Sequence, residues 1–525
     1  MFKLIKDQYT IGQRLKVNQF LLDKLNKTIT SSPSIQLELL FDASLYDQFR
    51  VHVFSTYTIQ ITYGTSRGLD YAFEAIEEIS KYFMIGLYEG GPDFKIRGII
   101  EGFYGTPWTH LDRIDVIHFI SKYKMNAYFY APKDDQYHRK LWRVLYPKKE
   151  LTQLLELVHE AKKVNVDFYF CISPGNDFIY SEQSEFEILY AKIDQLLSSG
   201  VKHFSLLMDD INYVLKDESL DRFKRPGIAH AYISNQLNLY LKSKTNDFKL
   251  VMCPTEYWQN WDTEYRNDLK EQMDSDIMVF WTGYRVVAEY IPNQDGLNAL
   301  ESFGHPLILW DNYPVNDMAT DRIFMGPLIN RGKRLYESHI GMISNPMIEW
   351  HLSKISVMTM ASYMWDSKNY DPEIAYLDAL KELTSNSSHL LPDYKNFTDN
   401  NRHSLIHYTR MPQIESAVES LDYNVLDSYF DDLMNSINQL ENNFDDSRFI
   451  SQAKPWFERF RKDYALYQLI KSGKATIQDT LYIKDEKHTL GTNFIVKLAK
   501  KLDLYDGPVY KKERKNYWDI LKNKK

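Results

Sequence analysis

Between residues 96 and 365 the chain repeats a single pattern, a short apolar run followed by an amphipathic stretch, and that repetition leaves few architectures open. The apolar runs fall at 96–101, 125–130, 167–173, 203–208, 249–254, 276–281, 307–310 and 341–344, and each reads as a strand. Stretches between them, such as 151–164, 185–197 and 228–241, carry apolar residues at three- and four-residue spacing and read as helices. Eight β/α units in about 270 residues match the usual size of a closed parallel barrel, so the expected fold class is α/β, a (β/α)8 TIM barrel. A doubly wound open sheet is the structural alternative. It normally carries fewer parallel strands and a Gly-rich phosphate turn, and the sequence has no such turn.

At 525 residues the whole chain is too long for one ordinary core; a prior of about 150 residues per domain suggests two to four domains. Residues 1–95 mix strand-like alternation (34–41, 51–63) with an amphipathic stretch (66–82), which implies a small N-terminal α+β domain ending near the Gly-Gly-Pro at 90–92. After about residue 371 strand signals thin out, and 414–440 and 453–470 show helical periodicity with polar faces. The expected division is therefore 1–95, a barrel over 96–370, and a C-terminal helical domain over 371–525. The Lys-rich tail, 511–525, reads as a solvated helix or frayed end.

In a closed parallel barrel the residues just after each strand converge on one face. Here those positions hold aromatic rings, amides and carboxylates: 102–108, 132–138, Asp209 and Asp210, 255–258, 282–285, 311–317 and 345–347. Rings pack on the C–H faces of a pyranose and polar groups hydrogen-bond its hydroxyls, so this is sugar-site chemistry. The Asp209–Asp210 pair follows the apolar run 203–208, whereas the doublets at 431–432 and 445–446 lie where solvated charges are expected. Two buried neighbouring carboxyls push at least one pKa upward, which puts an ionised group beside a protonated one. Adjacent residues on a regular strand point to opposite faces, so both can reach one sugar only if the strand breaks there.

A net charge of −8 and a pI near 6.0 argue against a nucleic-acid-binding surface, and no run of about 18 apolar residues suggests a membrane span. Residues 1–8 lack the apolar segment of a secretory signal, so a soluble, cytoplasmic protein is expected. The two cysteines, Cys171 and Cys253, each lie inside an apolar run and read as reduced buried thiols. No His-x-x-His, Cys-x-x-Cys or His-Glu-x-x-His spacing occurs, so neither a metal nor a cofactor is expected.

Six segments, taken together and in order, closely resemble glycoside hydrolase family 84. They are Arg97-Gly-Ile-Ile-Glu-Gly-Phe-Tyr-Gly-Thr-Pro-Trp108, Pro132-Lys-Asp-Asp135, Leu206-Leu-Met-Asp-Asp-Ile211, Met252-Cys-Pro-Thr-Glu-Tyr257, Trp281-Thr-Gly283 and Trp310-Asp-Asn-Tyr-Pro-Val-Asn-Asp317. The family contains the β-N-acetylglucosaminidases called O-GlcNAcases. The likeness spans roughly residues 50–370 and implies a retaining, substrate-assisted reaction in which the substrate's own acetamide oxygen attacks the anomeric carbon to give an oxazoline. That route stands outside the two-carboxylate scheme, so carboxylate separation is not its test.

The resemblance further implies roles for individual residues. Asp209 would face the acetamide N–H as the ionised member; Asp210 would be the general acid and then the base, with its pKa raised. Gly102 would offer its carbonyl to a sugar hydroxyl. Lys133, Asn312, Asp317 and Asn345 match polar positions around the ring, with Asp317 on the outer hydroxyls. Tyr257 fits the phenol near the acetamide. Cys253, Thr282 and Trp310 fit the acetyl-methyl pocket, although composition alone reads those three as ordinary core. Val286, and with it Tyr284, would lie nearer the aglycone. The leading expectation is release of terminal β-linked GlcNAc from Ser or Thr of a glycoprotein. The competitors are a glycan-binding protein without turnover and an enzyme acting on cell-wall or hyaluronan-derived oligosaccharides. Helical C-terminal regions in this family can pair across a dimer, so the resemblance also permits a homodimer through that region.

Overall fold

The computed structural model describes residues 36–507, apart from 56–57, 83–84, 213, 407–410 and 486. The expectations for residues 1–8 and for the tail at 511–525 fall outside the described residues. The chain divides into two compact units, one holding the described residues up to Lys95 with Met364–Asp366, the other holding Ile96–Tyr363 and the described residues from Ser367 onward.

In the first unit four strands, β1 (Gln36–Phe41), β2 (Phe49–Ser55), β3 (Thr58–Tyr63) and β4 (Gly86–Gly90), form a sheet of order β1-β3-β2-β4. β3 alternates half-buried and buried residues along its length, the mark of a sheet with one face on a core. That face meets the helix Ser66–Tyr82, and Val51, Ile59, Ile61, Leu69, Ala72 and Ile76 share the core between them. The alternation read continuously over 51–63 is in fact an antiparallel pair, β2 with β3, in which Val51 faces Ile61 and His52 faces Gln60. A period of two continues on both arms of a hairpin, so the reversal leaves no mark in the pattern.

The second unit contains the barrel. β5 (Ile96–Ile100), β6 (Ala127–Tyr130), β7 (Asp167–Ile172), β8 (His203–Leu207), β9 (Leu250–Cys253), β10 (Met278–Trp281), β11 (Leu307–Pro314) and β12 (His339–Asn345) close into a ring, and every neighbouring pair is parallel. All eight runs read from the sequence are therefore strands. Residues of β5, β6, β8, β9 and β10 are buried without exception, because side chains on one face fill the barrel and those on the other meet the surrounding helices. The interior is aromatic: Phe129 stacks on Tyr169 at 4.1 Å between ring centres, Phe280 meets Phe129 at 5.4 Å, and Trp310 meets Phe280 at 5.3 Å. Cys171 and Cys253 lie in this core as free thiols.

The region after residue 371 is helical, with long helices at Tyr423–Asn443 and Ser447–Lys471. Leu426, Phe430, Leu433, Ile437 and Leu440 form the buried stripe of the first, and Phe430 stacks on Tyr467 of the second at 4.2 Å. These helices belong to the same compact unit as the barrel: Asn401 accepts a backbone bond from Met325, and Asp446 pairs with His351 at 2.9 Å.

Candidate active site

β8 ends at Leu207, and the chain leaves it in a turn in which Asp210 has φ +52°. Left-handed backbone costs an ordinary residue about 1–2 kcal/mol, and Asp is among the few that visit it. The turn breaks the strand's alternation, so the two neighbouring carboxylates need not point to opposite faces, and both meet side chains that follow other strands, Lys133 on Asp209 and Tyr104 and Tyr257 on Asp210. The flanks are fixed: Met208 donates its N–H to the Cys253 carbonyl at 2.8 Å and receives Thr255 Oγ1 on its own carbonyl at 2.7 Å.

Asp209 is buried, 6% exposed, and Lys133 Nζ donates to its Oδ2 at 3.1 Å. Its Oδ1 is buried without a hydrogen-bond partner among the described residues. Burial alone would push this carboxyl up, but the adjacent Lys133 ammonium outweighs it and holds Asp209 below the ordinary carboxylate range. The partner shift agrees: burial opposes charge on Lys133, and the Asp209 carboxylate nevertheless raises its pKa. Lys133 stands on a loop braced by Asp135, whose Oδ2 accepts from the Tyr130 and Tyr146 hydroxyls at 2.9 and 2.7 Å. Burial lowers His138 to about 4, so it is neutral, and its Nε2–H donates to the Pro132 carbonyl at 2.7 Å.

Asp210 accepts from two phenols, Tyr257 on Oδ1 at 3.1 Å and Tyr104 on Oδ2 at 2.8 Å. The Tyr257 loop is pinned from three sides. The Tyr257 carbonyl accepts from Thr282 N–H at 3.0 Å, Gln259 N–H donates to Gly283 at 2.9 Å, and buried Arg266 donates to the carbonyls of Glu256, Trp258 and Gln259 at 3.3, 2.9 and 3.0 Å.

A chain of amides forms the opposite wall. Trp310 Nε1 donates to Asn312 Oδ1 at 2.9 Å, Asn345 Nδ2 donates to the same oxygen at 2.9 Å, and Gly102 N–H donates to Asn345 Oδ1 at 3.3 Å. Asn312 Nδ2 in turn donates to the carbonyl of buried Val286 at 2.7 Å. Gly102 is required by close approach: a Cβ there would stand 2.5 Å from Trp310 Cζ2. Asp317 Oδ2 accepts the Tyr104 backbone N–H at 2.9 Å, and burial pushes its carboxyl above the ordinary range. Cys253 is fully buried beside the two aspartates, and burial holds its thiol far above the usual value, so it is an un-ionised wall group. Thr282 is buried and donates Oγ1–H to the Arg285 carbonyl, while Tyr284, the other residue considered near an aglycone, donates to Glu289 at 3.2 Å.

The thirteen residues named from the sequence thus come from seven of the eight strand ends, all but that of β7. Two further residues escaped that reading. Tyr104 lies within a quoted motif but had no role; its hydroxyl is on Asp210. Arg139 brings both terminal nitrogens within 3.5 Å of the Tyr104 hydroxyl oxygen, and nothing in its local spacing announces this. Among the described residues no group of His, Cys, Asp and Glu is arranged to hold a metal ion, and no helix is long and apolar enough to cross a membrane.

Comparison with known proteins gives the family. The model of the beta-N-acetylglucosaminidase family matches residues 97–398, more than half of the chain. Protein O-GlcNAcase of Rattus norvegicus is 31% identical over 286 residues, which are 53% of this chain and 31% of that protein, so the match spans about a third of the curated relative's length. Among solved structures, a mutant O-GlcNAc hydrolase of Thermobaculum terrenum superposes with a TM-score of 0.69 at 27% identity, over 78% of this chain and 96% of its own. The protein named CpGH84B superposes with a TM-score of 0.73 at 25% identity, over 99% and 97% of the two chains. The protein belongs to the beta-N-acetylglucosaminidase family of glycoside hydrolases, family 84.

Proposed function

We propose that the protein is a retaining β-N-acetylglucosaminidase that removes terminal β-linked GlcNAc by substrate-assisted catalysis. The observation that carries this reading is the free Oδ1 of Asp209. A buried acceptor with no donor is costly, and a carboxylate kept ionised by Lys133 needs an N–H rather than a second cation to complete it. The acetamide N–H of a 2-acetamido sugar is such a donor. Held there, the acetamide carbonyl oxygen attacks C1, the glycosidic C–O bond breaks, and Asp210 gives its proton to the departing oxygen. Asp209 stabilises the positive charge that develops on the oxazolinium. Water then attacks C1 as Asp210 takes its proton, the oxazoline opens, and a second inversion at C1 restores the β anomer.

The other walls support the same substrate. Trp310, Cys253 and Thr282 offer an apolar, un-ionised recess for an acetyl methyl. Tyr257 lies beside the same carboxylate pair. Asp317, Asn312 and Asn345 give polar edges for the sugar hydroxyls, and Val286 and Tyr284 mark the aglycone side. The name of the rat relative, Protein O-GlcNAcase, supports a GlcNAc-modified Ser or Thr of a protein as the natural leaving group.

The test is hydrolysis of chromogenic β-N-acetylglucosaminides whose acetyl methyl carries zero to three fluorines. Each fluorine makes the carbonyl oxygen a poorer nucleophile, so the rate should fall steeply along the series. A flat series, or no release from the parent compound, would exclude the reading. Release from O-GlcNAc peptides compared with GlcNAc oligosaccharides then assigns the leaving group.

A further inference from the structure

The two phenols on Asp210 are held very differently. Tyr257 is 7% exposed and packed in the barrel core. Tyr104 is 45% exposed, and its ring faces two cations, Lys133 Nζ at 5.1 Å and the Arg139 guanidinium at 5.7 Å from its centre. Gly105, with φ +116°, turns the chain immediately after it. Arg139 can only donate, so a phenol oxygen that receives its N–H groups must direct its own proton at Asp210 Oδ2. A proton arriving on that oxygen would confront the phenol proton. Asp210 cannot therefore be capped by Tyr104 and hand a proton to a sugar from Oδ2 in the same arrangement.

We infer that Tyr104 is a displaceable cap on Asp210: its hydroxyl occupies the place of the glycosidic oxygen in the free enzyme, and the bound substrate pushes it aside toward Arg139. The inference rests on the acid–base role proposed for Asp210. The cap stabilises the carboxylate form before substrate arrives and is absent once substrate is bound. Tyr104 is thus a positioning residue that acts through Asp210, and Arg139 acts through Tyr104 as well as by its own charge beside both aspartates. The other charged or titratable groups facing Asp210 are Lys133, Asp209, Cys253, Tyr257 and Asp317. Cys253 ends β9, Tyr257 is packed in the barrel core and Lys133 is bonded to Asp209, so of the groups around Asp210 the nearly half-exposed Tyr104 is the one placed to move aside.

The experiment is the pH dependence of GlcNAc release from an O-GlcNAc peptide, whose alkoxide leaving group needs the acid. The alkaline limb of kcat/KM reports free enzyme and that of kcat reports the complex. In the wild type the kcat/KM limb should lie at lower pH than the kcat limb. Tyr104→Phe should raise the kcat/KM limb by about one pH unit, as expected for losing one hydrogen bond to a charged group, and leave the kcat limb in place. Arg139→Gln, which frees the phenol to rotate, should narrow the gap between the two limbs and serves if the first variant does not fold. Limbs that stay put, or that move together in Tyr104→Phe, would overturn the inference while leaving the hydrolase reading intact. Failure of the wild type to release any GlcNAc would instead remove the reading itself.

Discussion

Two buried acids stand at strand ends of the same barrel, Glu101 after β5 and Asp209 after β8, each beside a cation, and they are satisfied very differently. Glu101 accepts four bonds: two from Arg113 at 2.8 Å, one from the Tyr128 hydroxyl at 2.9 Å and one from Trp108 N–H at 3.2 Å. Asp209 accepts one from Lys133 and keeps an oxygen unpaired. A planar guanidinium saturates a carboxylate from two directions, whereas an ammonium is a point charge that fixes the ionisation state and leaves geometry open. A saturated acid can only hold the barrel together. An ionised but unsaturated one is poised for a ligand.

That contrast can be broken at four places, ordered from the largest expected effect. Asp210→Asn should cost ~10²–10⁴ in kcat/KM on a glycopeptide, the usual scale of general acid–base catalysis. It should cost far less on an aryl glycoside whose leaving group is already stable, and equal losses on both would refute the proton-transfer role. Asp209→Asn should slow aryl and peptide substrates alike by ~10²–10³, the scale of removing one preorganised electrostatic stabiliser. Steady-state kinetics on the two substrates separate these outcomes.

Glu101→Gln tests the saturated acid. It leaves the half-buried Arg113 charge without its counter-ion, so unfolding stability should fall by about 3 kcal/mol while kcat of the folded fraction changes little. Urea denaturation beside a rate measurement is the check, and a kinetic defect without a stability loss would erase the distinction. Lys133→Met should act on pH rather than on rate at neutrality. The folded Asp209 carboxyl is lowered, so its ionised contribution is present above the unfolded value of about 3.9 and is lost as pH falls through the lower folded value. Lys133 is raised, so its contribution is present below about 10.4 and is lost as pH rises beyond it. The acid limb of wild-type kcat/KM should thus lie below about pH 4, and Lys133→Met should carry it upward.

How much of this was legible depended on whether the deciding contact was local. The eight strands show in the sequence because a strand buried on both faces must be apolar along its whole length. β11 is longer than its apolar run: Asp311 pairs with Ser344 and Pro314 with Asn345 across to β12, well past Trp310. The sheet tolerates Asp311 there because Arg331 neutralises it with bonds of 2.6 and 2.8 Å, a partner that no local pattern could reveal. β4 was missed for a related reason. Its five residues include two glycines and a glutamate and give no apolar run.

At the site, Asp209 and Asp210 were visible because the chain places them directly after a buried strand. The family likeness named the other candidates at the barrel mouth. The Tyr104–Arg139 connection was not legible, since those residues follow different strands and meet only when the barrel closes. Nor could the sequence say that Lys133 spends its charge on Asp209, which is what distinguishes this acid from Glu101.

The most direct test of the unsaturated carboxylate is a crystal structure with a thiazoline sugar that mimics the oxazoline. The ring nitrogen is expected within about 3 Å of Asp209 Oδ1, with Lys133 still on Oδ2. A ring nitrogen turned away from Asp209, or a Lys133 that moves to occupy both oxygens, would contradict the role assigned to this residue.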